Sequence, residues 1–129
     1  MKCRYVKLNT FEEYDGKLSV AEVGKDIPFE IKRVFFIHCI PSSNVIRGNH
    51  ASRNTEFFLQ AVVGHVCIEL FDGESTFKID LDKINTGLYV PKMVWIRATS
   101  FSLNAILQVY ASNTYEKCEY IDDINELIR

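Results

Sequence analysis

The amino-acid sequence predicts an all-β domain, built as an antiparallel sandwich or barrel. β-branched and aromatic residues form short runs between turn signals, among them the tight-turn dipeptides Asp15-Gly16 and Asp72-Gly73. No stretch alternates strands with long helical patterns, which excludes a doubly wound parallel sheet. The chain has 129 residues, enough for one core and too few for two, so we expect one domain over residues 1–129.

Nine segments carry the strand pattern. The clearest alternation lies in residues 76–81, where Phe77, Ile79 and Leu81 oppose Lys78 and Asp80. Near the C-terminus, Asp122 or Asp123 is placed to cap a short helix over residues 124–129. The predicted strands are residues 2–7, 17–23, 31–38, 56–63, 65–71, 76–81, 87–90, 93–97 and 104–111.

Composition excludes several classes of partner. The formal net charge is -2 and no basic block is present, so we expect no nucleic-acid binding. No apolar run approaches the roughly 20 residues of a membrane span, and the first residues do not form a signal peptide. We therefore expect a cytoplasmic protein. The four cysteines are widely and irregularly spaced, which argues against a metal site.

The segment RGNHASRNTE, residues 47–56, concentrates the polar side chains that chemistry requires. Arg47 and Arg53 offer forked donors for phosphate or carboxylate, and His50 can exchange a proton near neutral pH. If the strand is regular, even spacing places Ser52 and Glu56 on the same face as His50. The alternative interpretation is a polar loop with a structural histidine.

Arg47-Gly48-Asn49-His50-Ala51, followed by Glu56, resembles the signature of the cupin-fold dTDP-4-keto-6-deoxyglucose ketoisomerases, also called the WxcM-like family. Three further stretches resemble blocks of that family. They are IPFEIKRVFFI (27–37), GLYVPKMVW (87–95) and LQVYASNTYEKCEYI (107–121). The resemblance runs in order from about residue 15 to residue 121.

The resemblance implies a cupin jelly-roll fold and a cytoplasmic homodimer, often with exchanged N-terminal strands. The implied substrate is a dTDP-linked 4-keto-6-deoxyhexose, whose ketone moves from C4 to C3 without metal or other cofactor. His50 matches the catalytic histidine that removes the C3 proton. The 3-keto product then serves deoxyamino-sugar synthesis for surface glycans such as the O-antigen of lipopolysaccharide.

The chain departs from the family pattern at three positions. Ser52 replaces the second signature histidine, Ile96 replaces a histidine that often follows Val-Trp, and Asp15 replaces an arginine. If a second proton donor is needed, Ser52, Tyr89, Tyr110 or water must supply it. These departures leave two alternatives open: a cupin that binds sugar nucleotides without turnover, and an isomerase or epimerase of another nucleotide sugar.

The remaining candidate site residues are assigned to substrate binding. Arg33 and Arg47 are candidates for the pyrophosphate. Tyr89 and Trp95 are candidates for contacts with thymine or sugar, although aromatic residues in strands more often belong to a core. The full set of predicted substrate-binding residues is Arg33, Arg47, Arg53, Glu56, Tyr89, Trp95, Arg97 and Tyr110.

Overall fold

Two antiparallel sheets share one hydrophobic core in the computed structural model, which describes residues 2–128. The all-β prediction is confirmed. The strands of this part of the chain are β1 (Arg4–Lys7), β2 (Asn9–Glu13), β3 (Gly16–Val20), β4 (Arg33–Ile37), β5 (Arg47–Ser52), β6 (Phe57–Val63), β7 (Val66–Phe71), β8 (Thr76–Leu81), β9 (Thr86–Val90), β10 (Trp95–Thr99), β11 (Ile106–Ala111) and β12 (Tyr120–Ile121).

The strand order defines two five-stranded sheets and a separate hairpin. The first sheet has the order β1-β9-β6-β11-β4, and the second has the order β12-β5-β10-β7-β8. Strands β2 and β3 pair only with each other and form a two-stranded hairpin. Neighbours in the second sheet come from distant parts of the sequence, so this order brings residues near the C-terminus beside β5.

The core between the sheets arises from strict alternation of side chains. Along β7, Val66, Ile68 and Leu70 are buried, whereas the residues between them remain partly exposed. They meet Leu59 and Leu107 of the first sheet in a single cluster of buried residues. At roughly 25 cal/mol per Å² of apolar surface, this burial provides the main driving force for folding.

A second apolar layer covers the outer face of the first sheet. Leu8, Ile27 and Phe29 pack there against Phe58, which is fully buried. Gly87 makes room for the Phe58 ring, because a Cβ atom at that position would overlap it. Side chains of the first sheet that point outward therefore enter this layer and not the space between the sheets.

Three of the twelve strands in residues 2–128, β2, β5 and β12, lie outside the nine predicted segments. Strand β2 was not predicted, because its sequence NTFEE is exposed throughout and has no buried face. The predicted strand at 56–63 begins at Phe57, and β5 is a separate strand that ends at Ser52. The assumption of one regular strand from His50 to Glu56 is therefore wrong.

The predicted C-terminal helix is shorter than expected. A single 3₁₀ turn covers Ile124–Glu126, and the side chain of Asp123 accepts a hydrogen bond from the Asn125 amide. So short a segment cannot recover the cost of nucleating an α-helix. Arg129, the last residue of that prediction, lies outside the described residues. Across residues 2–128, no helix has the length and hydrophobicity that a membrane span requires.

Candidate active site

A cavity of about 200 Å³ opens between the two sheets and contains His50. Its wall is mainly apolar, with the polar groups of Arg47, His50 and Tyr120 at one side. We refer to it as the His50 cavity. It is lined by Phe35, Phe36, Ile37, Arg47, Gly48, His50, Phe57, Leu59, Ile96, Ala98, Leu107, Val109 and Tyr120.

A β-bulge in β5 brings Arg47 and His50 to the same cavity. Residues three apart on a regular strand point to opposite faces of a sheet. The pairing of β5 with β10 shifts register between His50 and Gly48, so that Asn49 is an extra residue. The bulge resets the alternation, and both functional side chains line the cavity.

The backbone of the bulge is left-handed at two consecutive residues. Gly48 has a φ of 75°, and a Cβ atom there would lie 3.1 Å from the carbonyl oxygen of Ile96. Asn49 has a φ of 61°, a conformation that asparagine tolerates better than most residues. Its Oδ1 accepts a hydrogen bond of 3.0 Å from Nε1 of Trp95, which ties the bulge to the next strand.

The environment of His50 favours the neutral imidazole. Burial lowers the pKa of His50 from its usual 6.5, and the charge of Asp122 opposes this effect. A neutral imidazole near pH 7 can accept a proton, which is the property that a general base needs. The ring of Tyr120 lies edge-on to that of His50, with 4.3 Å between the centroids.

Tyr120 is the functional candidate that sequence reasoning missed. Its hydroxyl accepts a hydrogen bond of 3.1 Å from Nη2 of Arg33. The guanidinium of Arg33 also lies over two aromatic rings, 5.1 Å from the centroid of Phe35 and 5.6 Å from that of Tyr115. Arg33, Tyr120 and His50 thus form a chain of contacts at the cavity wall.

Glu119 fixes the segment that carries Tyr120. Its carboxylate accepts hydrogen bonds from the amide of Asn54 (3.1 Å), the side chain of Asn54 (3.0 Å) and the hydroxyl of Thr55 (3.0 Å). Its carbonyl oxygen accepts a bond of 2.8 Å from the amide of Arg53. The bond from the Asn54 side chain is the main cause that lowers the pKa of Glu119.

Ser52, which was predicted to be catalytic, has a structural environment. It is 3% exposed, and its hydroxyl accepts a bond of 3.2 Å from the Thr55 amide in the turn after β5. Ser52 pairs with Tyr120 across β5 and β12, but it is not among the residues that line the cavity. The side chain that faces His50 from this region is that of Tyr120.

Several predicted binding residues lie away from the His50 cavity. Glu56 accepts a hydrogen bond of 2.6 Å from the hydroxyl of Tyr89, which packs in the apolar layer outside the first sheet. Tyr110 packs in the same layer and accepts a bond of 2.6 Å from Gln108. Burial is the main cause that raises the pKa of Tyr89, to about 12, and it also raises that of Tyr110.

Three further predicted binding residues, Arg53, Trp95 and Arg97, also lie away from the His50 cavity. Arg53 forms an ion pair of 3.0 Å with Glu126. Trp95 and Arg97 line a separate depression on the second sheet, where Arg97 lies 3.6 Å from Glu69. Of the predicted set, the structure brings Arg47 and His50 to the cavity, with Arg33 joined to it through Tyr120.

The described residues offer no ready metal centre. Within residues 2–128, no group of three or more His, Cys, Asp or Glu side chains could hold a metal ion. Ile96, which follows Val94 and Trp95 in the chain, lines the cavity with an apolar side chain. The chemistry that these residues can offer is proton transfer by His50 and Tyr120 beside the charges of Arg33 and Arg47.

We expect the bulge to depend on Asn49 in two separable ways. Asn49→Ala loses both the tolerated left-handed conformation and the bond to Trp95, and should lower the free energy of unfolding by about 1–3 kcal/mol. Asn49→Gly keeps the conformation and should lose less. Because Trp95 is the only tryptophan, its indole N–H resonance should shift in both variants. An unchanged resonance would exclude the Asn49–Trp95 bond.

The lowered pKa of His50 predicts a pH dependence of stability. As the pH falls below about 6.5, the unfolded chain binds a proton at this residue before the folded protein does. The corresponding stability is present above that pH and is lost as the pH falls through the folded-state pKa. Urea unfolding should show a smaller pH dependence in His50→Gln. Equal slopes in both proteins would contradict the burial effect.

Comparisons with known protein families and with individual proteins point to the same family. The family model FdtA: WxcM-like, C-terminal matches residues 1–129. The TDP-4-oxo-6-deoxy-alpha-D-glucose-3,4-oxoisomerase of Aneurinibacillus thermoaerophilus is 33% identical over 121 residues, which cover 94% of this chain and 86% of that protein.

Solved structures agree with this match over nearly the whole chain. The WlaRB TDP-quinovose 3,4-ketoisomerase of Campylobacter jejuni has a TM-score of 0.93 and 36% identity, covering 98% of this chain and 97% of that one. A His→Asn variant of the 3,4-ketoisomerase QdtA of Thermoanaerobacterium thermosaccharolyticum, in complex with TDP-4-keto-6-deoxyglucose, has a TM-score of 0.91 and 28% identity, covering 98% and 91%. The chain therefore belongs to the FdtA family of WxcM-like C-terminal domains.

Proposed function

We propose that this protein is a sugar-nucleotide 3,4-ketoisomerase that converts a dTDP-4-keto-6-deoxyhexose to the 3-keto isomer. The observation that carries the proposal is His50, whose pKa is lowered by burial at the wall of a small apolar cavity. The proposal is also supported by two relatives of the protein, a 3,4-oxoisomerase of Aneurinibacillus thermoaerophilus and a 3,4-ketoisomerase of Campylobacter jejuni.

The reaction needs a base beside C3, since the hydrogen there is acidic next to the C4 carbonyl. His50 takes this proton, and an enediol forms between C3 and C4. The same imidazole then returns a proton to C4, and a proton passes from O3 to O4, which leaves the ketone at C3. No metal is part of this proposal, since each step is a proton transfer between the substrate and the protein.

The cavity is of a size to hold only part of the substrate. About 200 Å³ is less than the roughly 300–1,000 Å³ of pockets for drug-sized ligands. We assign the cavity to the keto-sugar ring and place the nucleotide outside it. Arg47 is exposed at the rim, where its guanidinium can pair with the pyrophosphate.

A homodimer belongs to the same proposal. On the β2–β3 hairpin, Phe11 and Leu18 are paired across the strands and each is 58% exposed, while Tyr14 at the turn is fully exposed. A hairpin that pairs only with itself and exposes such residues is suited to pack on a second copy of the chain. Exchange of the N-terminal strands would bury them.

The proposed product defines a biological setting. A 3-keto sugar nucleotide is a substrate for an aminotransferase, and the resulting amino sugar is a building block for surface glycans such as O-antigen. We propose that the reaction takes place in the cytoplasm, where sugar nucleotides are made.

A proton NMR time course in deuterated water tests the proposed reaction. With dTDP-4-keto-6-deoxyglucose and EDTA, the wild-type protein should form a 3-keto species, which carries deuterium at C4 because the proton held on His50 exchanges with the solvent before it reaches C4. His50→Asn should reduce the rate by at least about 10²-fold, the lower range for loss of a general base. The variant should still bind dTDP, which isothermal titration calorimetry can measure.

Two outcomes would contradict the assignment. Full turnover by His50→Asn would exclude His50 as the base. Binding of dTDP by the wild type without deuterium exchange at C3 or C4 would favour a binding protein without turnover, or an isomerase of another nucleotide sugar. The replacement of the second signature histidine by buried Ser52 is the observation that motivates these alternatives.

Light scattering coupled to size-exclusion chromatography tests the dimer. Leu18→Asp should shift the protein toward a monomer, because it places a charge in the proposed contact. Leu103→Asp is the matched control, since Leu103 is 90% exposed and lies outside the hairpin. A wild-type monomer, or equal effects of the two substitutions, would exclude the hairpin as the dimer contact.

A further inference from the structure

We propose that Tyr120 is a second catalytic residue, which carries a proton between the two sugar oxygens while His50 moves the carbon-bound proton. This inference rests on the proposed function. Ketoisomerisation needs both transfers, because one hydrogen moves from C3 to C4 and another from O3 to O4. His50 accounts for the first of these, and the second needs a group that both donates and accepts a proton.

The position of Tyr120 fits this role. Its ring lies edge-on to that of His50 at 4.3 Å between centroids, and both side chains line the same cavity. Ser52, the residue at the place of the missing second histidine, points its hydroxyl to a backbone amide. Tyr120 pairs with Ser52 across β5 and β12, so that the neighbouring strand supplies a hydroxyl at this side of the cavity.

The contact with Arg33 leaves the Tyr120 hydroxyl able to donate its own proton. Arg33 Nη2 donates to the phenol oxygen, so this bond leaves the phenol proton free to point elsewhere. Among residues 2–128, this is the one hydrogen bond of the Tyr120 side chain. When the proton leaves, the guanidinium stabilises the phenolate that remains.

The proposed cycle balances. His50 removes the C3 hydrogen as a proton, the C–H electron pair forms the C3–C4 double bond, and the carbonyl electron pair moves to O4. Tyr120 donates its proton to O4, which gives a neutral enediol and a phenolate beside Arg33. The phenolate then takes the proton from O3 as the C3 carbonyl forms, and the double-bond electrons capture the proton of His50 at C4. Both side chains return to their starting states.

The Glu119 contacts supply the rigidity that such a group needs. Tyr120 lies on a strand of two residues, which is too short to hold a catalytic side chain alone. The bonds from Asn54 and Thr55 to the Glu119 carboxylate anchor the preceding residue to the turn after β5. His50 and Tyr120 are therefore held by one connected piece of structure.

Tyr120→Phe tests the proposal, with Tyr115→Phe as the matched control. Both substitutions remove a hydroxyl and keep the ring, but Tyr115 does not line the cavity. Tyr120→Phe should lower kcat by about 10²–10⁴-fold, with KM and dTDP affinity little changed. Deuterium incorporation should slow in proportion, since the enediol forms only when O4 is protonated. Tyr115→Phe should retain the wild-type rate.

Each outcome bears on the proposal. A wild-type kcat in Tyr120→Phe would overturn it, as would a loss of rate that is matched by lost dTDP affinity, which would indicate a binding role. If Tyr120→Phe does not fold, Arg33→Met carries the test, because it leaves the phenol and removes the charge. We then expect kcat to fall at least tenfold at unchanged KM, and an unchanged kcat would overturn the proposal. If the wild type itself does not isomerise the substrate, the proposed function fails and this inference fails with it.

Discussion

The alternation of side chains along a β-strand is the constraint on which the site depends. A regular β5 could direct either Arg47 or His50 into the space between the sheets, but not both. The extra residue Asn49 removes this conflict, at the expense of two consecutive left-handed residues. A backbone conformation of this kind persists only where surrounding contacts hold it in place. The hydrogen bond from Trp95 to Asn49 is one of these contacts. The indole thus contributes to the site from outside the cavity.

The sequence was informative where one face of a strand is buried. Strand β8 has the predicted bounds and β7 begins one residue later than predicted, because apolar and polar residues alternate regularly in both. Strand β2 was missed, since an exposed strand leaves no periodic signal. The length of the C-terminal helix was overestimated. The three-residue spacing of Ile124 and Leu127, which also fits an α-helix, belongs to a single 3₁₀ turn.

The candidate site could be predicted in part. The signature around His50 singled out two residues that line the cavity, His50 and Arg47, since both belong to one short motif. Tyr89 and Tyr110 were assigned to substrate binding, since a pattern of alternation does not show which face of a sheet meets the ligand. The structure places both in the apolar layer outside the first sheet. Tyr120 lay beyond sequence reasoning, because its contact with His50 depends on the pairing of β12 with β5, strands about 70 residues apart in the chain.

That pairing has a consequence for the order in which the protein becomes functional. A chain emerges from the ribosome N-terminus first, and its earlier segments can fold before the later ones are made. Both five-stranded sheets apart from β12 are encoded by residues up to Ala111, whereas Glu119 and Tyr120 follow later in the chain. A nascent chain can therefore assemble most of its core and still lack the part of the cavity wall that Tyr120 forms. The cavity is therefore completed later than the core that surrounds it.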